Sequence, residues 1–132
     1  MQLSRLESLG PALEAASPAI AFAYLFGSAA TGRVGPRSDV DIAIYLSGDT
    51  NPHDTRLEAA RVAALHLGTD AIDVVVLNTA PLSLAGRVLG SRRVLIDREP
   101  FRRHQYESLT ARMFHDFRLR EHRLLAARFG RG

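Results

Sequence analysis

Two aspartates one residue apart, Asp39 and Asp41, head an apolar stretch in which Val40, Ile42 and Ile44 alternate with Asp39, Asp41 and Ala43. A period of two is the period of a β-strand, so both carboxylates project to one face, their Cα atoms roughly 6.5–7 Å apart. Carboxylates placed in this way repel, and a hard divalent cation between them removes the repulsion. Oxygen-only ligands suit Mg²⁺, which takes a few carboxylates together with substrate phosphates. A third acid, Asp73, stands at the start of another apolar run, Ala71 to Leu77. On a strand beside the first, it completes a set able to hold two ions roughly 3.5–4 Å apart, one gripping a polyphosphate and the other lowering the pKa of an attacking hydroxyl. Ten residues separate Gly27-Ser28 from Asp39. Gly27 permits a tight backbone and close approach of a ligand, and a helical turn opening at Ser28 would aim free amides at an anion.

Periodicity supplies the elements that must position these groups. Ile20 to Phe26 is a compact apolar run of strand length that delivers Gly27-Ser28. Ser4-x-x-Glu7 resembles a capping box for a first helix, with Gly10-Pro11 placed to interrupt or kink it. A helix is expected from Asp54 to Leu67, carrying Leu57, Arg61, Ala64 and Leu65 and stopped by Gly68. A short helix from Leu82 to Leu89 is entered through Pro81, and Arg93 to Ile96 reads as a last short strand. From Phe101 to Phe129 runs a long helical pattern in which Phe101, Tyr106, Phe114 and Phe117 are interleaved with arginine. Strands alternating with helices predict an α/β (α+β) domain with a small mixed sheet, flanking helices and a long C-terminal helix. The order of strands within that sheet is not readable from the pattern.

With 132 residues and no cysteine, the chain fits one domain with no disulfide or thiolate metal site. We read residues 1–132 as that domain, with a core at about 20–97 and the C-terminal helix at about 101–129. No apolar run approaches the roughly 18 residues of a membrane span, and the start of the chain lacks a basic region followed by an apolar stretch. A cytoplasmic protein with no membrane association is the expectation. All 17 basic residues are arginine, and 9 of them fall after residue 97 against 4 acids there. Such a tail calls for an acidic partner, either a protein face or nucleic acid, with protein favoured because the aromatics there suit packing. The five histidines, among them His115 and His122 on one helix face, lack a zinc spacing. No serine sits in a nucleophile-elbow context.

Gly27-Ser28, ten residues, then Asp39-Val40-Asp41 and an apolar strand resembles the signature of polymerase-β-type nucleotidyltransferases, in particular the minimal nucleotidyltransferase (MNT) branch. The resemblance covers about residues 20–97. It implies the polymerase-β-like fold, ATP as substrate, and transfer of AMP to a hydroxyl with release of pyrophosphate. It assigns Asp39, Asp41 and Asp73 to Mg²⁺, with two ions expected, and Gly27 and Ser28 to the nucleotide. Short MNT proteins of this kind pair with HEPN-family ribonuclease toxins, so the resemblance further implies a hetero-oligomer in which a toxin tyrosine is adenylylated by its antitoxin. A masking antitoxin without catalysis, or a transferase acting on RNA or a small molecule, are the alternatives. One departure concerns Gly27-Ser28-Ala29-Ala30-Thr31-Gly32, where many members carry arginine at the position of Thr31. Arg33 and Arg37 are the nearby candidates to replace it.

Overall fold

A computed structural model describes residues 3–32 and 39–129, so Arg33 and Arg37 lie outside the described residues. Four strands form one mixed sheet in the order β3-β2-β1-β4, with β1 at Ile20–Phe26, β2 at Val40–Leu46, β3 at Ile72–Val76 and β4 at Arg93–Asp97. The first strand runs antiparallel to both β2 and β4, and β2 runs parallel to β3. Every residue of β1 is buried. That burial explains its unbroken apolar sequence, since a strand covered on both faces has no reason to alternate.

Helices α1 (Leu3–Glu7), α2 (Leu9–Ala16) and α3 (Pro52–Leu67) cover one face of the sheet, around Ile20, Leu25, Ile42 and Ile44. The other face carries Phe22, Tyr24, Phe26 and Ala43 beneath α4 (Leu82–Gly90) and the first half of α5 (Pro100–Phe129). Asp41 belongs to this second face, because it alternates with the buried Ile42. The break between α1 and α2 falls at Ser8, two residues before the expected Gly10-Pro11. Proline is tolerated in a first helical turn, where its missing N–H is not needed. Ser4 sits inside α1, so the expected capping box does not open that helix.

The best-defined helix start is that of α3. The Asn51 side chain accepts from the amides of His53 at 3.0 Å and Asp54 at 3.3 Å, and Pro52 follows the cap. Gly68 ends the helix at φ +70°, as a left-handed C-cap requires. Its buried stripe is Thr55, Ala59, Ala63 and Leu67. Leu57 and Leu65, two residues of the helical pattern, are 52% and 70% exposed. Small side chains at i and i+4 let α3 lie close on the sheet, and the larger leucines are left outside.

The second half of the sheet is tied to α5 by a partly buried polar network. The Tyr24 hydroxyl donates to Glu107 Oε2 at 2.7 Å. Arg103 donates to both oxygens of Asp97, at 2.9 and 3.1 Å, and to Glu107 at 3.0 Å. Arg92 pairs with the same Glu107 oxygen at 3.2 Å. Burial pushes the Tyr24 hydroxyl far above the ordinary tyrosine range, and the bond to Glu107 raises it further. Burial acts to raise the Glu107 carboxyl as well, but the Tyr24 and Arg103 hydrogen bonds and the two arginine charges outweigh it and hold the group below its usual value. Tyr106 and Phe114 pack inward as expected. Phe101 and Phe117, expected to do the same, are 75% and 43% exposed.

Two predictions follow from packing and charge. Gly10 lies where α2 meets β4, and an added Cβ there would collide with the backbone carbonyl of Leu95. Gly10→Ala should cost about 1–3 kcal/mol by overpacking, whereas Gly90→Ala, with open space around it, should be neutral or stabilise by up to about 1 kcal/mol; denaturant titration of both variants checks the contrast. A carboxyl held below its ordinary 4.5 contributes stability that is present above that pH and lost as pH falls through the folded-state value. Melting temperature should therefore fall on acidification through the carboxylate range, and Glu107→Gln should flatten that fall while costing about 2 kcal/mol at neutral pH.

Candidate active site

The parallel pairing of β2 with β3 sets the centre of the site. Asp41 and Asp73 are direct register partners, so their Cα atoms are separated by about one interstrand spacing, ~4.8 Å, and their side chains leave the same face. Asp39 lies just before β2, which begins at Val40 rather than at Asp39. The Val40 amide donates to the Ala71 carbonyl at 2.8 Å, which pins the strand start beside β3. Asp39 and Asp73 are exposed and Asp41 is partly buried.

On the other side of Asp41 stands β1, with Phe26 as its register partner. The chain then turns sharply through Gly27 at φ +71° into a single 3₁₀ turn, Gly27–Ala29. A Cβ on Gly27 would lie 2.6 Å from Asp41 Oδ2. Glycine is thus required twice here, by the left-handed backbone and by contact with a carboxylate. Ser28 is exposed beside it. All five residues singled out from the sequence therefore fall at one end of the sheet.

Burial, followed by the charges of Asp73 and Asp39, pushes the Asp41 carboxyl above its ordinary range. The Arg87 guanidinium, on α4, acts in the opposite sense. Among the described residues no three carboxylate or imidazole groups enclose an ion by themselves. An ion held here needs further oxygens, which is how Mg²⁺ is bound at sites where substrate phosphates complete its shell.

Two neighbours of the site have no signal in the sequence. Ser91, the residue closing α4, accepts a hydrogen bond from the Gly27 amide at 2.9 Å. That amide, expected to be free for an anion, is therefore held by a serine hydroxyl. Arg87 lies one helical turn before Ser91. Only the folding of α4 onto β1 relates either residue to the glycine turn, and no spacing rule anticipates that. Thr31 is exposed, its hydroxyl donating locally to the Ser28 carbonyl at 3.1 Å.

The sequence pattern of the family described as Polymerase beta, Nucleotidyltransferase matches residues 10–101. The chain belongs to this family. No curated protein sequence matches it significantly. Among solved structures, a chain of a toxin–antitoxin complex with AMP-PNP superposes at TM-score 0.72 with 24% identity, over 96% of this chain and 98% of that one. A tri-AMPylated HEPN toxin in complex with MNT antitoxin, from Shewanella oneidensis, gives TM-score 0.70 at 24% identity over the same shares. A third complex, MntA–HepT, gives TM-score 0.69 at 23% identity, over 96% of this chain and 97% of that one. At these identities the likeness establishes the fold, a four-stranded mixed sheet with flanking helices and a long C-terminal helix.

Gly27→Ala should be damaging on two counts, a left-handed residue costing about 1–2 kcal/mol and displacement of Asp41. Thermal denaturation should register the first. Loss of nucleotide binding measured by calorimetry, exceeding what the lost stability explains, should register the second.

Proposed function

We propose that this chain is a Mg²⁺-dependent adenylyltransferase that transfers AMP from ATP to a tyrosine hydroxyl of a partner HEPN ribonuclease toxin, acting as its antitoxin. The observation carrying this reading is the register pair Asp41–Asp73, with Asp39 beside it and Gly27 against Asp41, on a nucleotidyltransferase fold. Resemblance in fold to complexes of MNT antitoxin with a tri-AMPylated toxin supports the choice of acceptor.

The donor set fits Mg²⁺. It consists of oxygen ligands only, and Asp41 is disfavoured as a carboxylate by burial and then by the charges of Asp73 and Asp39. Asp39, Asp41 and Asp73 would hold the metal, two ions in our reading, which when bound neutralises phosphate charge and makes an acceptor hydroxyl more acidic. Asp39 and Asp41 face the triphosphate. Asp73, exposed on the edge strand, faces the acceptor. Gly27 gives the phosphates close approach to the backbone, and Ser28 offers a hydroxyl beside it. The acceptor oxygen forms a bond to the α-phosphorus, the α–β bridging bond breaks, pyrophosphate leaves, and the hydroxyl proton passes to the carboxylate cluster. Catalysis of this kind is mainly positioning and charge neutralisation.

Residues 20–97 and α5 work as one unit in this reading, since the Glu107 network fastens the helix to the sheet. The distal half of α5 is exposed, with Phe117, Leu124 and Leu125 among Arg118, Arg120 and Arg123. This apolar and basic face suits a protein partner. It also favours a second reading, an antitoxin that neutralises its toxin by covering it, with no transfer. No helix among the described residues is long and apolar enough to cross a membrane.

Labelled ATP, Mg²⁺ and a candidate HEPN partner separate the readings. Label should appear on the partner with the wild-type chain, and should drop by at least about a thousandfold with Asp39→Ala/Asp41→Ala, as loss of transition-state charge stabilisation implies. Unlabelled partner that is nonetheless bound and silenced equally by both proteins would replace the transferase with the masking reading.

A further inference from the structure

The carboxylate end of the sheet presents a problem of charge. A nucleoside triphosphate entering it meets Asp39, Asp41 and Asp73. The described part of the glycine turn, Gly27 to Gly32, holds no basic side chain to offset them. Bound Mg²⁺ would neutralise part of the combined charge but would leave the end of the phosphate chain away from the carboxylates unfixed. A cation from another element would fix it.

The structure places one there. Ser91 receives the Gly27 amide, so the end of α4 is in direct contact with the turn, and Gly27 is itself against Asp41. Arg87 lies four residues before Ser91. Arg87 is the basic residue of the last turn of α4, the end of the helix that Ser91 joins to the glycine turn. Among the described residues Arg87 makes no ion pair. Its position contrasts with that of Arg92 and Arg103, the nearby arginines that are bound to carboxylates in the Glu107 network. Arg87 is also exposed, so it has no part in packing α4 against the sheet.

We propose that Arg87 binds the β- and γ-phosphates of the nucleotide, with Ser91 as the positioning residue that holds Gly27 and α4 together. A guanidinium presents a planar fork of donors that matches phosphate oxygens, and it stays charged in any environment the site offers. The α-phosphate would then lie toward Asp41 and the β- and γ-phosphates toward α4. That direction leaves the exposed Asp73 side open to the acceptor. The inference rests on the nucleotidyltransferase reading and adds to it the orientation of the triphosphate.

Calorimetric titration of the full chain in Mg²⁺ with AMP-PNP and, separately, with AMP tests it. Arg87→Ala should weaken AMP-PNP roughly ten- to a hundredfold, the range for charge-assisted hydrogen bonds, and change AMP by less than about threefold. Arg87→Lys should recover part of the loss, since it keeps the charge but not the fork. The melting temperature of both variants should match wild type. Unchanged AMP-PNP affinity in Arg87→Ala, or an equal loss for both nucleotides, would overturn the assignment while leaving the transferase reading intact. Wild-type protein that binds neither nucleotide would overturn both.

Discussion

The backbone brings Asp39, Asp41 and Asp73 to one end of the sheet, and the burial of Asp41 beside two other acids is the constraint on which the site depends. Parallel pairing puts Asp41 and Asp73 side by side on one face, and the buried, wholly apolar β1 pins β2 from the other side. Neither acid can turn away without breaking strand register, and a slip of one residue would send the carboxylates into the core beneath α2 and α3. The site thus stores unfavourable electrostatics that the sheet, held by burial on both faces, is strong enough to bear. Functional sites commonly carry a cost of this kind, compensated elsewhere in the fold.

The compensation is visible in how the two faces differ. One face is closed by small residues of α3 and by α2 lying so close to β4 that Gly10 has no room for a side chain. The other is closed by α4 and by α5, which is fixed through Arg103, Arg92, Glu107 and Tyr24. Those ionic groups lie on the same face as the carboxylate cluster but are satisfied among themselves. Their arginines are consumed in structure, which leaves Arg87 as the described arginine whose charge is felt at Asp41. Beyond the sheet, α5 continues with leucines and arginines in solvent, a surface whose burial is left to a partner.

Most of this was legible in the sequence, for identifiable reasons. Strong apolar runs with clear ends, such as Ile20–Phe26 and Ile72–Val76, were bounded within a residue. The Asp39-x-Asp41 pair declared itself through its period of two, and Gly27 through its place after a buried strand. What could not be read depends on contacts between distant elements. Nothing local states that β3 lies beside β2 or that Ser91 caps the Gly27 amide. The buried face of α3 was not legible either, because its stripe of Thr55, Ala59 and Ala63 is small where close helix packing requires it, and small residues give a weak hydrophobic pattern. Phe117 was misjudged for a related reason, since an aromatic residue on a helix longer than its support has no core to enter, while Phe101, at the start of α5, faces solvent.

Asp41→Asn removes the charge at the centre of the cluster while keeping its shape, and its melting temperature with and without Mg·AMP-PNP tests the account most directly. Without ligand the variant should melt higher than wild type, because repulsion from Asp39 and Asp73 is relieved. With Mg·AMP-PNP it should lose most of the ligand-induced rise that wild type displays. A variant that melts lower than wild type without ligand, yet gains as much from Mg·AMP-PNP, would contradict the account, because Asp41 would then be a structural residue outside the binding chemistry.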